Sequence, residues 1–304
     1  MKLIRTFGII ALLTAAGCSV RVPDGYDPPV ALRFDPVLSV ATKASSSTKW
    51  PEGLEFGVSL WDYPKTGKPE DGGVWLSDTR VTQNGDYWIP ITETLWPSKD
   101  RYLHALAYAP YGVASSLSLE RGVEFHDAGT GIDLLYAAPE TGLRKYVPHD
   151  AKDDIESVIS LTFRHALCLV DVSLRCNASP TEQAEVLSIT LDDAYVAGDF
   201  QSLPTPSWVT TGATTSLTFF NGDEKLSKEN NIIGNSLLMI PQPLSGKFTV
   251  KIRYAAYPMT VVTEHTLDSS PIGKVLESGR HYTFSLSCLL ETMTLKIDVI
   301  DMEL

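Results

Sequence analysis

VISLTFRHALCLVDVSLR, from Val158 to Arg175, is the stretch whose reading decides the fold. Ile159, Leu161 and Phe163 fall on one face, with Ser160, Thr162 and Arg164 on the other, the period-two alternation of a half-buried β-strand. From Val170 the apolar set changes parity to Val170, Val172 and Leu174, opposite Asp171, Ser173 and Arg175. A one-residue slip of this kind moves the buried side to the other face. A single strand of this length would span roughly 60 Å, far beyond the usual strand. The stretch therefore predicts two strands joined by a bulge or crossing between His165 and Leu169, with a β-region before it and another after it.

The flanking sequence carries the same signature. Upstream, Val30, Leu32 and Phe34 alternate with Ala31, Arg33 and Asp35 until Pro36 limits the strand or places it at an edge. Leu54–Trp61, Tyr102–Tyr108 and Asp133–Ala138 are short apolar runs between Gly/Pro turns, and Asn84-Gly85 is a type I′ hairpin signal. Downstream, Ala184–Leu191, a run from Leu237 to Ile240 and an alternating Phe248, Val250, Ile252, Tyr254 set follow, with a second hairpin signal at Asn221-Gly222. Tyr282, Phe284, Leu286 and Cys288 alternate, as do Met293, Leu295, Ile297 and Val299. No stretch carries an apolar stripe of helical period capped at both ends. The expectation is an all-β chain of sandwich domains.

Of 304 residues, 43% are apolar and 20% charged, an ordinary globular composition with room for two cores. The net charge of −12 repels phosphate backbones, so no nucleic-acid partner is expected. Lys2 and Arg5, an apolar run from Phe7 to Leu13 and small residues up to Cys18 read as a secretory signal. Ala15-Ala16-Gly17-Cys18 resembles a bacterial lipobox, which makes Cys18 the candidate lipidation site, with acyl chains such as palmitate as the membrane attachment. Ser19 to Pro29, with three prolines, reads as a stiff tether. Cys168, Cys176 and Cys288 remain, an odd number that permits at most one bridge; as residues on apolar strand faces they read as small buried hydrophobes without a structural disulfide.

No nucleophile elbow, phosphate loop, dinucleotide fingerprint or two-His helix motif occurs, so no enzyme activity and no cofactor is expected. His165 and Cys168 have metal-like spacing, but an odd separation on a strand points them to opposite faces, which favours the core over a metal site. Asp127 and Asp133 lack the ligand rhythm of a calcium loop. Trp50, Trp61, Trp75, Trp88 and Trp96 crowd the first third; packing explains them better than stacking on sugars. The chain ends carry the stronger signal. Ala41 to Lys49 is a small polar loop, open to proteases, that isolates the first strand, and Leu295 to Leu304 is an alternating strand with no element after it. An open sheet edge must be blocked or used, and strand donation between subunits uses it.

Taken in order, ATKASSSTKW (Ala41 to Trp50), FGVSLW (Phe56 to Trp61), HALAYAPYG (His104 to Gly112), DLLYA (Asp133 to Ala137), LTFRHALCLVDVSL (Leu161 to Leu174), LLMIPQPL (Leu237 to Leu244) and SGRHYTFSLS (Ser278 to Ser287) resemble the fimbrillin-like lipoproteins of Bacteroidetes. The resemblance implies two tandem transthyretin-like β-sandwich domains, here residues 30–157 and 158–304 after a signal peptide (1–17) and a lipid-anchored tether (18–29). It also implies a structural or adhesive subunit of surface fimbriae at the outer membrane, with other fimbrial subunits as partners. In that family a protease cuts at a basic residue after the first strand, and a neighbour's terminal strand fills the groove. The matching position is Lys43, where relatives often carry Arg; Lys49 and Arg33 are the alternatives, or the subunit keeps its lipid as an anchor. Leu295, Ile297 and Val299 are the candidate donor residues. The competing readings are a monomeric surface lipoprotein binding host or bacterial glycans or proteins, and a hydrolase built on a carboxylate pair.

Overall fold

The computed structural model describes residues 27–39, 47–129, 131–145, 157–176, 183–229, 231–244, 246–256, 259–268, 275–289 and 292–301. The signal segment, Cys18, most of the tether and Lys43 lie outside this set. The regular elements among the described residues are all β-strands apart from one 3-10 turn, Pro69–Asp71. The first half forms β1 (Arg33–Ser39), β2 (Ser47–Thr48), β3 (Phe56–Pro64), β4 (Gly73–Asn84), β5 (Tyr87–Pro90), β6 (Arg101–Ala109), β7 (Ser116–Ser118), β8 (Gly122–Gly129), β9 (Leu135–Ala137), β10 (Glu140–Leu143) and β11 (Val158–His165). The second half forms β12 (Cys168–Cys176), β13 (Gln183–Ala194), β14 (Ala197–Gln201), β15 (Ser207–Thr211), β16 (Thr215–Lys225), β17 (Asn231–Ile232), β18 (Leu237–Met239), β19 (Lys247–Ala256), β20 (Met259–Asp268), β21 (Arg280–Leu289) and β22 (Thr292–Asp301).

The stretch that opened the sequence argument divides at Ala166-Leu167, between β11 and β12. Ile159, Leu161 and Phe163 of β11 and Val170, Val172 and Leu174 of β12 are fully buried, in different cores. The two-residue crossing is held by backbone bonds from Ala166 N to Leu134 O (2.7 Å) and from Gly279 N to Leu167 O (2.8 Å). The phase slip is thus a change of sheet. The expected boundary at 157/158 does not coincide with it, because β11 pairs with β1 and β9 and stays in the first sheet.

That sheet runs β10-β6-β3-β4-β5-β1-β11-β9, and β9 pairs back onto β6, so the path closes around one core. β3 and β6 are buried on both faces. Phe56, Val58 and Leu60 with Leu103, Ala105 and Ala107 point into that core, while Trp61, Leu106 and Tyr108 point outward into a separate cluster. A strand covered on both sides reads as a continuous apolar run, which is why FGVSLW and YLHALAY alternate poorly.

What covers the outer face is a small sheet that the sequence did not reveal, ordered β15-β14-β8-β7. It joins the β14–β15 hairpin of the second half to β8 of the first. Phe125 and Phe200 stack between them at 5.5 Å, and Trp208 Nε1 donates to Ala166 O at 2.7 Å.

A five-stranded layer, β17-β12-β21-β22 with β18 also paired to β12, and a four-stranded layer, β16-β13-β19-β20, face each other in the second half, with Phe248 and Phe284 in ring contact at 4.8 Å between them. Several expectations shift here. β20 carries no alternation strong enough to have been read as a strand. Asn221-Gly222 makes no hairpin: β16 runs through it, and its register against β13 slips there, so the glycine marks a bulge. At the first signal the two-residue loop is Gly85-Asp86, with φ +63 at Gly85 only, the arrangement of a II′ rather than a I′ turn. Asp171 and Ser173, expected on the solvent side of β12, are buried. They form a polar ladder with β21, Asp171 Oδ2 to His281 Nε2 at 2.6 Å and Ser173 Oγ to Ser285 Oγ at 3.0 Å.

Candidate functional site

The site that the chain ends point to is the seat of β1. This strand runs through Pro36 and lies inside the sheet rather than at its edge. On one side it is parallel to β11, with register partners from Arg33↔Val158 to Leu38↔Phe163. On the other, Phe34 meets Trp88 of β5, and Leu38 and Ser39 meet Thr48 and Ser47 of β2. Pro36 falls in the gap between the β5 and β2 contacts, where that edge has no ladder partner among the described residues and a missing N–H is tolerated.

Leu32, Phe34 and Leu38 are buried to 1% exposure or less. Phe34 meets Phe56 edge-on at 5.9 Å, and Trp50, Phe56, Trp88 and Phe163 close an aromatic cage around the strand, with centroid separations from 4.5 to 6.4 Å. The strand is held by burial and by ladders to neighbours distant in sequence. Its removal would leave a slot between β5 and β11 lined by aromatic rings.

The candidate processing residues differ in setting. Arg33 opens β1, half-buried, with its guanidinium 4.3 Å over the Tyr87 ring. A protease needs an extended, accessible segment, which a residue laddered to Val158 does not offer. Lys49 is exposed in the unpaired residues after β2, directly before the buried Trp50. Lys43 lies outside the described residues. Upstream, the chain is pinned at Asp27 and Pro28 by the buried Lys145, whose ammonium donates to Pro28 O at 2.9 Å and pairs with Asp27. The hydrogen bond that the Lys145 ammonium donates to the Asp27 carboxylate holds that carboxyl below its ordinary range.

At the other end of the chain, β22 pairs with β21 from Leu289↔Thr292 to Arg280↔Asp301. It is the last strand of its layer, and its second edge carries no ladder among the described residues. Met293 and Leu295 pack partly against the core, whereas Val299 is 37% and Ile300 62% exposed, so the grip weakens along the strand. Ile297 lies opposite Phe284 in the ladder; its side chain is outside the described set.

Other residues singled out by sequence are absorbed by the fold. His165 Nδ1 lies 3.0 Å from Asp133 Oδ1, while the buried Cys168 Sγ donates to Met239 O at 3.3 Å. Burial pushes that thiol up to about 12, so it stays protonated at neutral pH. Among the described residues no group of three or more His, Cys, Asp or Glu side chains could hold a metal. Asp127 donates its backbone N–H to Asp199 Oδ1 at 2.8 Å. Of the five crowded tryptophans, Trp50, Trp61, Trp88 and Trp96 are buried; Trp75 is 39% exposed, with Nε1 donating to Leu95 O. Four of the five therefore offer no face on which a sugar could stack.

The fimbrillin-like family model matches residues 42–299. Among solved structures, a fimbrial protein from Bacteroides vulgatus superposes with a TM-score of 0.59 at 14% identity, covering 90% of this chain and 99% of the other. Two proteins assigned to cell adhesion follow: one from Bacteroides ovatus (TM-score 0.53, 14% identity, 92% and 99% covered) and one from Bacteroides uniformis (TM-score 0.52, 15% identity, 90% and 98% covered). At such identities the likeness is one of fold. No curated protein sequence matches the chain.

Proposed function

The chain belongs to the fimbrillin-like family, of structural rather than enzymatic proteins, and on that premise we propose that it is a subunit of cell-surface fimbriae, exported as a lipoprotein through Cys18 and assembled by strand complementation. The observation that carries the proposal is the placing of β1: a central strand bound along both edges, followed in the sequence by the small polar stretch Ala41 to Lys49. Cleavage in that stretch, at Lys43 or at the exposed Lys49, frees β1 from its covalent tie. The vacated slot then requires a strand with apolar residues two apart, to replace Phe34, Pro36 and Leu38. Leu295, Ile297 and Val299 of a neighbour's β22 have that spacing, and β22 is an edge strand with its outer half exposed. Backbone ladders supply affinity in such an exchange, and alternate side-chain pockets supply specificity.

Partners under this reading are other fimbrial subunits and, through the Cys18 acyl chains, the outer membrane. The test is electrophoresis of native surface protein under mild and full denaturation, with N-terminal sequencing of the mature chain. A start between Arg33 and Trp50 together with a denaturant-resistant ladder supports the reading. A ladder that survives deletion of residues 292–301 overturns donation by β22, and a lipidated Cys18 with a single monomer band overturns polymerisation.

A further inference from the structure

β12 and β21 are parallel neighbours, and the last pair in their register is Cys176 opposite Cys288. We propose that this pair is a disulfide site, closed when the chain meets a disulfide oxidant, which staples β21 to β12 and leaves β22 as the strand of that hairpin without a covalent tie. The proposal rests on the export reading above only for the compartment, since exported proteins meet such oxidants and cytosolic ones do not.

Neighbouring strands lie about 4.7–4.9 Å apart, inside the range of about 4.4–6.8 Å between Cα atoms that a disulfide spans. Paired residues of parallel strands project to one face, and both side chains enter the same core, 3% and 0% exposed. Their sulfurs share one polar cluster: the Tyr254 hydroxyl is in direct contact with Cys288 Sγ, and the two thiols hydrogen-bond to each other. Cys168 is excluded. It stands at the opposite end of β12, roughly 26 Å along the strand at about 3.3 Å per residue, and is bound to Met239 O. The odd cysteine count, which left the pairing open, is thereby resolved by register.

In the folded chain the hydrogen bond with Cys176, followed by burial, pushes the Cys288 thiol up, so closure belongs to the folding chain rather than to the packed native core; there either thiol can start the attack, and both orders give the same bond. In one order, Cys176, as thiolate, attacks one sulfur of a small-molecule disulfide such as oxidised glutathione, giving a mixed disulfide and one glutathione. Cys288, as thiolate, then attacks the Cys176 sulfur, forming the Cys176–Cys288 bond and expelling the second glutathione. The two thiol protons end on the two released glutathiones; the cysteine pair is oxidised by two electrons and the glutathione disulfide reduced by two.

The test uses the full chain, reduced and unfolded, then refolded either in a glutathione redox buffer or in dithiothreitol, quenched, alkylated under denaturation and mapped by mass spectrometry. Expected is one linked peptide pair containing residues 176 and 288, with Cys168 alkylated. The urea midpoint should be higher for the glutathione sample, and this difference should vanish in Cys176→Ser and Cys288→Ser. Full alkylation of both cysteines, a bridge to Cys168, or equal midpoints overturns the proposal; the wild-type comparison of the two buffers stands even if a serine variant fails to fold. A bridge that forms in the purified chain but is absent from protein taken from native cells supports the pair and counts against export.

Discussion

Phe34→Ala tests how firmly the slot holds β1. Phe34 is 1% exposed, meets Phe56 edge-on at 5.9 Å, and pairs across the sheet with Ile159 and Trp88. Removing a buried Phe costs about 3–5 kcal/mol, the lost transfer energy plus the cavity left behind, and an edge-on aromatic contact is worth about 0.5–1.5 kcal/mol beyond area. Set against a total stability of about 5–15 kcal/mol, that is a large share. Asp35→Ala, on the same strand but facing solvent, should stay within about 0.5 kcal/mol. The assay is urea unfolding followed by tryptophan fluorescence, since Trp50 and Trp88 line the same cage. The slope should be unchanged and the midpoint lower. A synthetic peptide of residues 292–301 should displace β1 from the loop-cleaved variant faster than from the cleaved parent, because the resident strand is held less tightly. A loss below about 1 kcal/mol, or one equal to that of Asp35→Ala, would refute the view of β1 as a strand seated by its aromatic cage.

Val299→Lys, at an exposed site on β22, should leave monomer stability within about 0.5 kcal/mol while reducing the ladder of polymers on mild electrophoresis; an unchanged ladder would count against β22 as donor. Gly57→Ala should destabilise by about 1–3 kcal/mol through overpacking: a Cβ there falls 2.3 Å from the Tyr108 ring, whose hydroxyl is tied to Asp78 Oδ1 at 2.7 Å and cannot easily move. The double variant with Tyr108→Ala should recover part of the Gly57→Ala loss, as a thermal melt would show. Burial lowers the pKa of His104, which the fold keeps neutral beside Thr141 Oγ1 at 2.8 Å. The unfolded chain therefore binds more protons below a pH of about 6.5, and stability should fall as pH drops through that window and be flat above it. His104→Gln should flatten the slope, with the remainder carried by His265, whose pKa burial also lowers.

Much of this molecule is legible in its sequence because strand character is local. Period-two alternation in Ile159, Leu161, Phe163 and in Phe248, Val250, Ile252 reports which side chains leave water, and the parity change after His165 reports a change of buried face, whatever lies opposite. The all-β class, the two strands of the central stretch and the burial of most of the crowded tryptophans followed from such signals. Partners across a ladder are another matter, because they are set by contacts between residues far apart in sequence. Nothing within Arg33–Ser39 announces that β1 is a central strand parallel to β11 rather than an edge, and nothing near Ala197–Thr211 announces that its hairpin completes a sheet begun by β8. Asp171 reads as a surface residue until His281 is brought to within 2.6 Å, and Cys176 and Cys288 read as two unrelated hydrophobes until one register sets them face to face. The sequence by itself determined which residues are strand and which of their faces seek the interior; only the tertiary structure decided which strands meet, because that choice minimises the free energy of the whole chain rather than of any segment.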